Sequence, residues 1–188
     1  MKNLVAVALL AGGMMFGQSK KVSNSNVQWF GYKLIKTEAS THNGVLNLTA
    51  GDVMMKGNNI VGGTFDLDMT SINATDLSGE NQARLNNQLK IGDFFDTEKF
   101  PTATYKITSV KKNNNKAFPF MIYGNLTAKD KTNPVAFPAN ITMKNGVLNI
   151  VSDKFSFDRK KFGISFASAA KDIIINDDID MIINVTAK

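Results

Sequence analysis

The chain has 188 residues, no cysteine and one histidine, His42, with 22 Lys and Arg against 16 Asp and Glu and a formal net charge of +6 at pH 7. The lack of cysteine excludes disulfides, a catalytic thiol and cysteine-ligated zinc, and a single histidine excludes a multi-histidine metal site. Only two arginines accompany the scattered lysines, so we expect a solvated basic exterior and no nucleic-acid partner.

The first residues have the layout of a secretory signal peptide. Lys2 provides a positive start, residues 4–16 form an uncharged apolar run, and a polar stretch follows. The run is too short to span a bilayer as a helix. We therefore expect residues 1–17 to be a leader cleaved near Gly17 or Gln18. Residues 18–188 are expected to form one domain in the periplasm or outside the cell. A buried strand or a membrane anchor is the alternative interpretation of this run.

Most of the remaining chain alternates apolar and polar residues with a period of two. This pattern is typical of strands with one apolar and one wet face. The clearest segments are residues 64–69, 102–110, 118–128, 135–143 and 179–185. Asn145-Gly146 is typical of a two-residue hairpin turn. Pro119 and Pro138 fall on the polar register, which predicts strand ends, edges or bulges there.

One segment, residues 78–90, breaks the alternation and predicts a short helix. Leu85 and Leu89 lie four residues apart, Ser78 is a candidate N-cap and Gly92 is a candidate C-terminal glycine. Many strands with one helix predict an all-β fold, a closed antiparallel lipocalin-like barrel of about eight strands with the helix at its rim. Closure is expected because it removes exposed strand edges.

Two adjacent phenylalanines, Phe94 and Phe95, follow the predicted helix, and the next strand starts after Pro101. Leaving both rings in water would forgo roughly 1.5–3 kcal/mol of burial each. We expect them at the barrel rim, as a plug or lid that packs the helix over the mouth. An ordinary satellite core beneath a loop is the alternative.

Five motifs occur in a fixed order along the chain. They are HNG at 42–44, GTFDLDMTSI at 63–72, LNNQLKIGDFFDTEKFPTATY at 85–105, YGNLTAKDKTNPV at 123–135 and FSFDRKKFGI at 155–164. Together they resemble the YceI-like family, secreted lipocalin-like barrels that hold polyisoprenoid or similar amphiphilic lipids. The resemblance runs from about Val27 to the C-terminus. Where the family usually has a His-Gly pair, this chain has Lys129-Asp130, which removes an imidazole and a flexible turn from that loop.

The resemblance implies non-catalytic binding, storage or transport of a long hydrophobic lipid, such as a polyisoprenoid, an isoprenoid quinone or a fatty amide. It implies no cofactor other than this bound lipid and no integral membrane span, and a homodimer is conceivable. The composition favours the same function, because 13 Phe and 9 Met can form an adaptable apolar wall. Micromolar binding corresponds to about 8 kcal/mol, or roughly 330 Å² of apolar burial before ordering costs.

Strand parity and the family motifs together give the candidate ligand-contacting residues. They are Trp29, Phe65, Leu67, Phe94, Phe95, Phe100, Tyr105, Phe120, Leu126, Phe137, Phe157, Phe162 and Ile164. Parity does not distinguish a dry core from a lined tunnel, and Trp29 is equally interpreted as a structural residue at the barrel base. No catalytic residue and no metal ligand is assigned.

Three polar residues, His42, Asp158 and Arg159, are candidate contacts to a lipid head group. The alternative for His42 is a rim or turn residue that bonds to the backbone. For Asp158 and Arg159 the alternative is an ion pair or strand-end hydrogen bonds that stabilise the fold.

Two other classes of function remain open. One is a partner-binding barrel with a packed core, which a continuous internal void would contradict. The other is a lipid-modifying enzyme that uses His42 and nearby acids for acid–base chemistry, although no G-x-S-x-G motif accompanies this histidine.

Overall fold

The computed structural model describes residues 17–35, 38–168 and 172–188. Within them the chain forms nine strands, one α-helix and one short 3₁₀-helix. The strands are β1 (Gln18–Ile35), β2 (Glu38–Lys56), β3 (Asn59–Ala74), β4 (Thr102–Lys112), β5 (Phe120–Ala128), β6 (Lys131–Lys144), β7 (Val147–Ser152), β8 (Phe155–Asp158) and β9 (Ile173–Ala187). The helices are α1 (Gly79–Lys90) and the 3₁₀-helix Arg159–Phe162. Residues 1–16 of the expected leader lie outside the described residues.

The strands form one antiparallel sheet that closes on itself. Their order is β1-β2-β3-β4-β5-β6-β7-β9, and β9 pairs back onto β1. The short strand β8 pairs with residues 178–181 of β9, and β7 pairs with residues 184–187, so the two share one position in the wall. The predicted closed antiparallel barrel of about eight strands with one helix is confirmed.

Side-chain alternation sets the inner and outer faces of the wall. In β4 the side chains of Ala103, Tyr105 and Ile107 are buried, whereas those of Thr102 and Lys106 are exposed. Successive side chains of a strand point to opposite faces, so the inward set of each strand forms the core. The five segments with clear alternation lie in β3, β4, β5, β6 and β9, as predicted.

The predicted turn and proline positions are also confirmed. Asn145 and Gly146 connect β6 and β7 with φ angles of 50° and 78°, as a type I′ hairpin turn requires. Pro119 immediately precedes β5. Pro138 lies in β6 immediately before Ala139, the first residue of β6 that pairs with β7, so no amide is needed there for that pairing.

The barrel has two different ends. The helix end carries the β1–β2, β3–α1–β4, β5–β6 and β7-to-β9 connections, and the turn end carries the β2–β3, β4–β5 and β6–β7 turns. The turn end is packed solid, because Val53, Met55, Leu148 and Ala187 are at most 1% exposed. Any space for a ligand must therefore lie towards the helix end.

Helix α1 starts after Ser78 as predicted, although the Ser78 side chain makes no capping hydrogen bond. The helix ends just before Gly92, as predicted, but the φ of this glycine is not positive. The chain instead leaves α1 through an extended Ile91, and the next turn supplies the missing donors. The amides of Phe95 and Thr97 donate to the carbonyls of Leu89 and Lys90 at 3.1 and 3.0 Å. The turn therefore caps the helix through its own backbone.

Candidate functional site

An apolar cavity of about 200 Å³ occupies the helix end of the barrel. One water molecule needs only roughly 10–15 Å³ by the same measure, so the space is far larger than a packing defect. Its wall comes from the barrel strands, from α1 and from residues 155–166, and it is almost entirely apolar. Such a space favours an apolar occupant over a cluster of water.

Nine of the thirteen predicted ligand-contacting residues lie on the wall of this cavity. They are Trp29, Leu67, Phe94, Phe95, Tyr105, Leu126, Phe137, Phe157 and Ile164. They come from six strands, the turn after α1 and the segment after the 3₁₀-helix. The fold therefore brings most of the predicted set together at one place.

The other four predicted residues do not line the cavity. Phe65 faces a separate, smaller void, and Phe162 is buried behind Phe157, with the ring centroids 5.5 Å apart in an edge-to-face contact. Phe120 begins β5 near the turn end, and Phe100 lies in the loop before Pro101. Parity gives the face of a strand on which a residue lies but not its height along the barrel, so it did not exclude these positions.

Several wall residues were not predicted, although strand parity or the helical apolar stripe could have identified them from the sequence. Met69 continues the parity of Leu67, and Phe155 continues that of Phe157. Phe166 lies two residues after Ile164, and the apolar stripe of α1 contributes Leu85 and Leu89. The missed residues with such a signal are Met69, Leu85, Leu89, Phe155 and Phe166.

A layer of four side chains separates the cavity from the smaller void, of about 40 Å³, below it. These side chains touch both spaces, and we call them the septum: Leu67, Tyr105, Phe137 and Ile183. The Phe137 ring lies 5.6 Å from that of Tyr105 and stacks on Phe155 at 4.6 Å. The Tyr105 hydroxyl donates to the Val135 carbonyl at 3.0 Å, and burial raises the pKa of this phenol.

The two adjacent phenylalanines close the cavity at the helix end, and we call the turn of residues 92–96 the plug. Phe94 is 8% exposed and stacks on Phe166 with centroids 4.5 Å apart. The Phe166 amide donates to the Asp93 carbonyl at 3.0 Å. Because both rings of the plug face the cavity, they belong to the main core and do not form a satellite core beneath a loop.

Lys129 holds the plug from the opposite side. Its ammonium donates to the carbonyls of Gly92 and Phe94, both at 2.7 Å. It lies in the β5–β6 turn with a φ of 48°, next to Asp130 with a φ of 61°. Both values are left-handed, so the turn has a tight geometry without a glycine. At this position the chain carries a cation that binds the plug.

Replacing Lys129 by methionine is expected to loosen the plug. A hydrogen bond from a charged group contributes about 1.5–3 kcal/mol when buried, and partial exposure lowers that figure here. We expect hydrogen exchange at the Phe95 and Asp96 amides to become about tenfold faster. Lys131→Met, which alters an exposed lysine in the same hairpin, is the control. Equal acceleration in both variants would show that Lys129 has no special part in holding the plug.

The HNG motif gives the rim beside Trp29 its shape. The His42 ring donates from Nδ1 to the Asp76 carboxylate at 2.7 Å, and the Asn43 amide donates to the same carboxylate at 3.1 Å. Partial burial raises the pKa of Asp76, but these hydrogen bonds outweigh it and hold the pKa below its ordinary value. A Cβ at Gly44 would lie 2.6 Å from the Trp29 ring, so only glycine fits there.

His42 and Trp29 both lie on the cavity wall. His42 is satisfied by a carboxylate, whereas the alternative interpretation expected a backbone partner. Trp29 is buried, and among the described residues its indole nitrogen has no hydrogen-bond partner. The position of Trp29 is compatible with both of its predicted roles. A buried ring on the wall supports the barrel and also faces the cavity.

Arg159 is buried and ties together the segment that follows β8. Its guanidinium donates to the carbonyls of Ile164 and Asn176 at 2.9 and 3.0 Å and to the Asp177 carboxylate at 3.1 Å. Hydrogen bonding from Lys160 is the main cause that holds the pKa of Asp177 below its ordinary value. Arg159 touches the cavity, but its donors serve the fold.

Asp158 neither faces the cavity nor pairs with Arg159. Its carboxylate accepts from the Lys160 amide at 2.8 Å and caps the 3₁₀-helix. The expected strand-end hydrogen bonds are present, but the expected ion pair joins Arg159 to Asp177 instead.

The described part of the chain contains no group of three or more His, Cys, Asp or Glu side chains that could hold a metal ion. Over the same residues, 17–35, 38–168 and 172–188, no helix is long and apolar enough to cross a bilayer.

Comparisons with known proteins agree with this architecture. The sequence profile of one family, described as the YceI-like domain, matches residues 20–187. Comparison with curated proteins gives no significant match.

Several solved structures share the fold. BcnA of Burkholderia cenocepacia is 16% identical with a TM-score of 0.69, over 87% of this chain and 96% of that one. A polyisoprenoid binding domain from Saccharophagus degradans, implicated in plant cell wall breakdown, is 8% identical with a TM-score of 0.59, over 90% and 97%. The YCEI protein of Campylobacter jejuni is 16% identical with a TM-score of 0.53, over 100% and 93%. At these identities the similarity concerns the fold alone.

Proposed function

The chain belongs to the YceI-like domain family, and we propose that its barrel binds and carries one long hydrophobic lipid of the polyisoprenoid class, without catalysis. In this proposal the carrier acts in the periplasm or outside the cell. The observation that carries the proposal is the apolar cavity of about 200 Å³ at the helix end. A barrel that serves only as a partner-binding module has no need of such a space.

Contact area is the expected source of affinity. Each buried methylene contributes about 0.8 kcal/mol, so a long chain reaches micromolar affinity through burial alone. Two polar side chains of the wall, His42 and Arg159, are already paired within the protein. A flexible apolar guest needs few directed hydrogen bonds, and the wall offers few.

Organic extraction of the purified protein followed by mass spectrometry tests the proposal. We expect the wild-type protein to release a long apolar compound in near-stoichiometric amount. Ala103 lies on the cavity wall, so Ala103→Trp should fill the space and lower the yield at least about tenfold. Ala136→Trp, which adds the same ring to an exposed position on β6, should retain the compound.

Two results would contradict the carrier function. One is a wild-type extract that is repeatedly empty, and the other is an equal yield from Ala103→Trp and Ala136→Trp. His42→Ala addresses the enzyme alternative with the same readout. A carrier should release the same compound from this variant, whereas an enzyme should accumulate a chemically different substrate.

A further inference from the structure

The turn end of the barrel carries exposed lysines with almost no acidic side chains beside them. Six of them are exposed on its turns and at the end of β9, and we call them the basic pole: Lys56, Lys111, Lys112, Lys116, Lys144 and Lys188. Lys20 and Lys21 lie at the same end, but Lys20 donates to the Gly146 carbonyl and Lys21 pairs with Asp52. Asp52 is the only acidic side chain in the segments that form this end, residues 18–22, 52–61, 109–120, 142–149 and 185–188.

The helix end has the opposite balance. The connection of residues 75–101 alone carries five acidic side chains against three basic ones. Both arginines, Arg84 and Arg159, also belong to this end. The positive charge of the protein is therefore concentrated at the turn end, and the barrel is electrically polar along its axis. The uneven distribution of the acidic side chains, rather than of the lysines, produces this separation.

Exposed apolar side chains accompany the basic pole. Met54 is 47% exposed and Val61 is 51% exposed, and both flank the β2–β3 turn that carries Lys56. A bilayer interface can bind both kinds of side chain on these protruding turns. The ammonium groups meet lipid phosphates, and the apolar groups enter the acyl boundary. Nucleic-acid recognition favours arginine, and the basic pole contains none.

We propose that the basic pole docks the barrel onto the surface of an anionic lipid bilayer. The cavity and the plug lie at the opposite end, so the docked protein presents its mouth away from that surface. The proposal does not depend on the nature of the bound lipid, because docking uses the outside of the turn end. Each lysine near the surface raises the membrane-binding constant about fivefold, so the six lysines together are sufficient for stable docking.

Vesicle co-sedimentation of the full chain tests this docking. The vesicles are phosphatidylcholine alone, and phosphatidylcholine with about one third phosphatidylglycerol, at about 0.01 M and about 0.15 M salt. We expect binding to the anionic vesicles only, weaker at the higher salt because screening shortens the reach of the lysines.

A charge-reversal pair locates the surface. Lys111→Glu/Lys112→Glu/Lys116→Glu should lower the partition coefficient by about 100-fold or more. Lys99→Glu/Lys131→Glu/Lys161→Glu makes the same change of net charge at the helix end and should bind nearly as well as wild type. Val61→Ser should weaken binding by a few-fold at both salt concentrations, because it removes apolar contact rather than charge. Circular dichroism verifies that each variant is folded.

Several outcomes would overturn the proposal. Equal binding to neutral and anionic vesicles, or binding that salt leaves unchanged, would assign the interaction to the apolar run of residues 4–16. Equal losses in the two triple variants would show that net charge acts without a defined surface. Tighter binding of wild type to a DNA duplex than to anionic vesicles would make the basic pole a nucleic-acid surface.

Discussion

Replacing Arg159 by alanine is expected to lower the free energy of unfolding by about 3–5 kcal/mol. Arg159 is 3% exposed, and its guanidinium donates to three acceptors on the segment that closes the barrel. Its removal leaves the buried carbonyl of Ile164 and the part-buried carbonyl of Asn176 without this donor. The loss should also loosen the wall around Ile164, which faces the cavity.

Urea unfolding measures this effect, and the second arginine supplies the control. Arg84 lies on an exposed face of α1, so Arg84→Ala should change the stability by less than about 0.5 kcal/mol. The loss of stability in Arg159→Lys should lie between those of Arg159→Ala and Arg84→Ala, because an ammonium cannot reach three acceptors in the planar arrangement of a guanidinium. A loss below about 1 kcal/mol in Arg159→Ala would contradict the role assigned to these contacts.

The sequence predicts which face of each strand is buried better than it predicts where each residue lies along the barrel axis. Alternation is a local property of a strand, so the buried faces of β3, β4, β6 and β9 followed from period two alone. The position of a residue along the barrel axis depends on pairing register and strand tilt, which involve distant parts of the chain. Phe120 and Phe65 have the predicted inward parity but lie too low to reach the cavity.

Two functional features depended on contacts that no local pattern contains. The carbonyls bound by Lys129 are 37 and 35 residues earlier in the chain, so the sequence around Lys129 gave no sign that this lysine binds the plug. The lysines of the basic pole appear scattered in sequence because the turns that carry them are separated by whole strands. In an up-and-down barrel every second connection lies at the same end, and this rule could have revealed the cluster.

Replacing Phe137 by alanine is expected to join the two internal spaces and to change which ligands fit. Phe137 belongs to the septum, and removing its ring should lower the free energy of unfolding by about 3–5 kcal/mol. The functional effect concerns ligand length. In the wild-type protein, affinity for linear alcohols should rise about fourfold per methylene and then level off once the chain reaches the septum.

Displacement of a bound fluorescent fatty-chain probe by alcohols of increasing length measures this limit. In Phe137→Ala the affinity should continue to rise for alcohols longer than the wild-type limit, because the lower void becomes accessible. Phe137→Leu, which is expected to cost less stability, should shift the limit in the same direction by a smaller amount. Phe100→Ala also removes a phenyl ring, but one outside the cavity wall, and should leave the limit unchanged. An identical length limit in wild type and Phe137→Ala would show that the septum does not set the depth of the cavity.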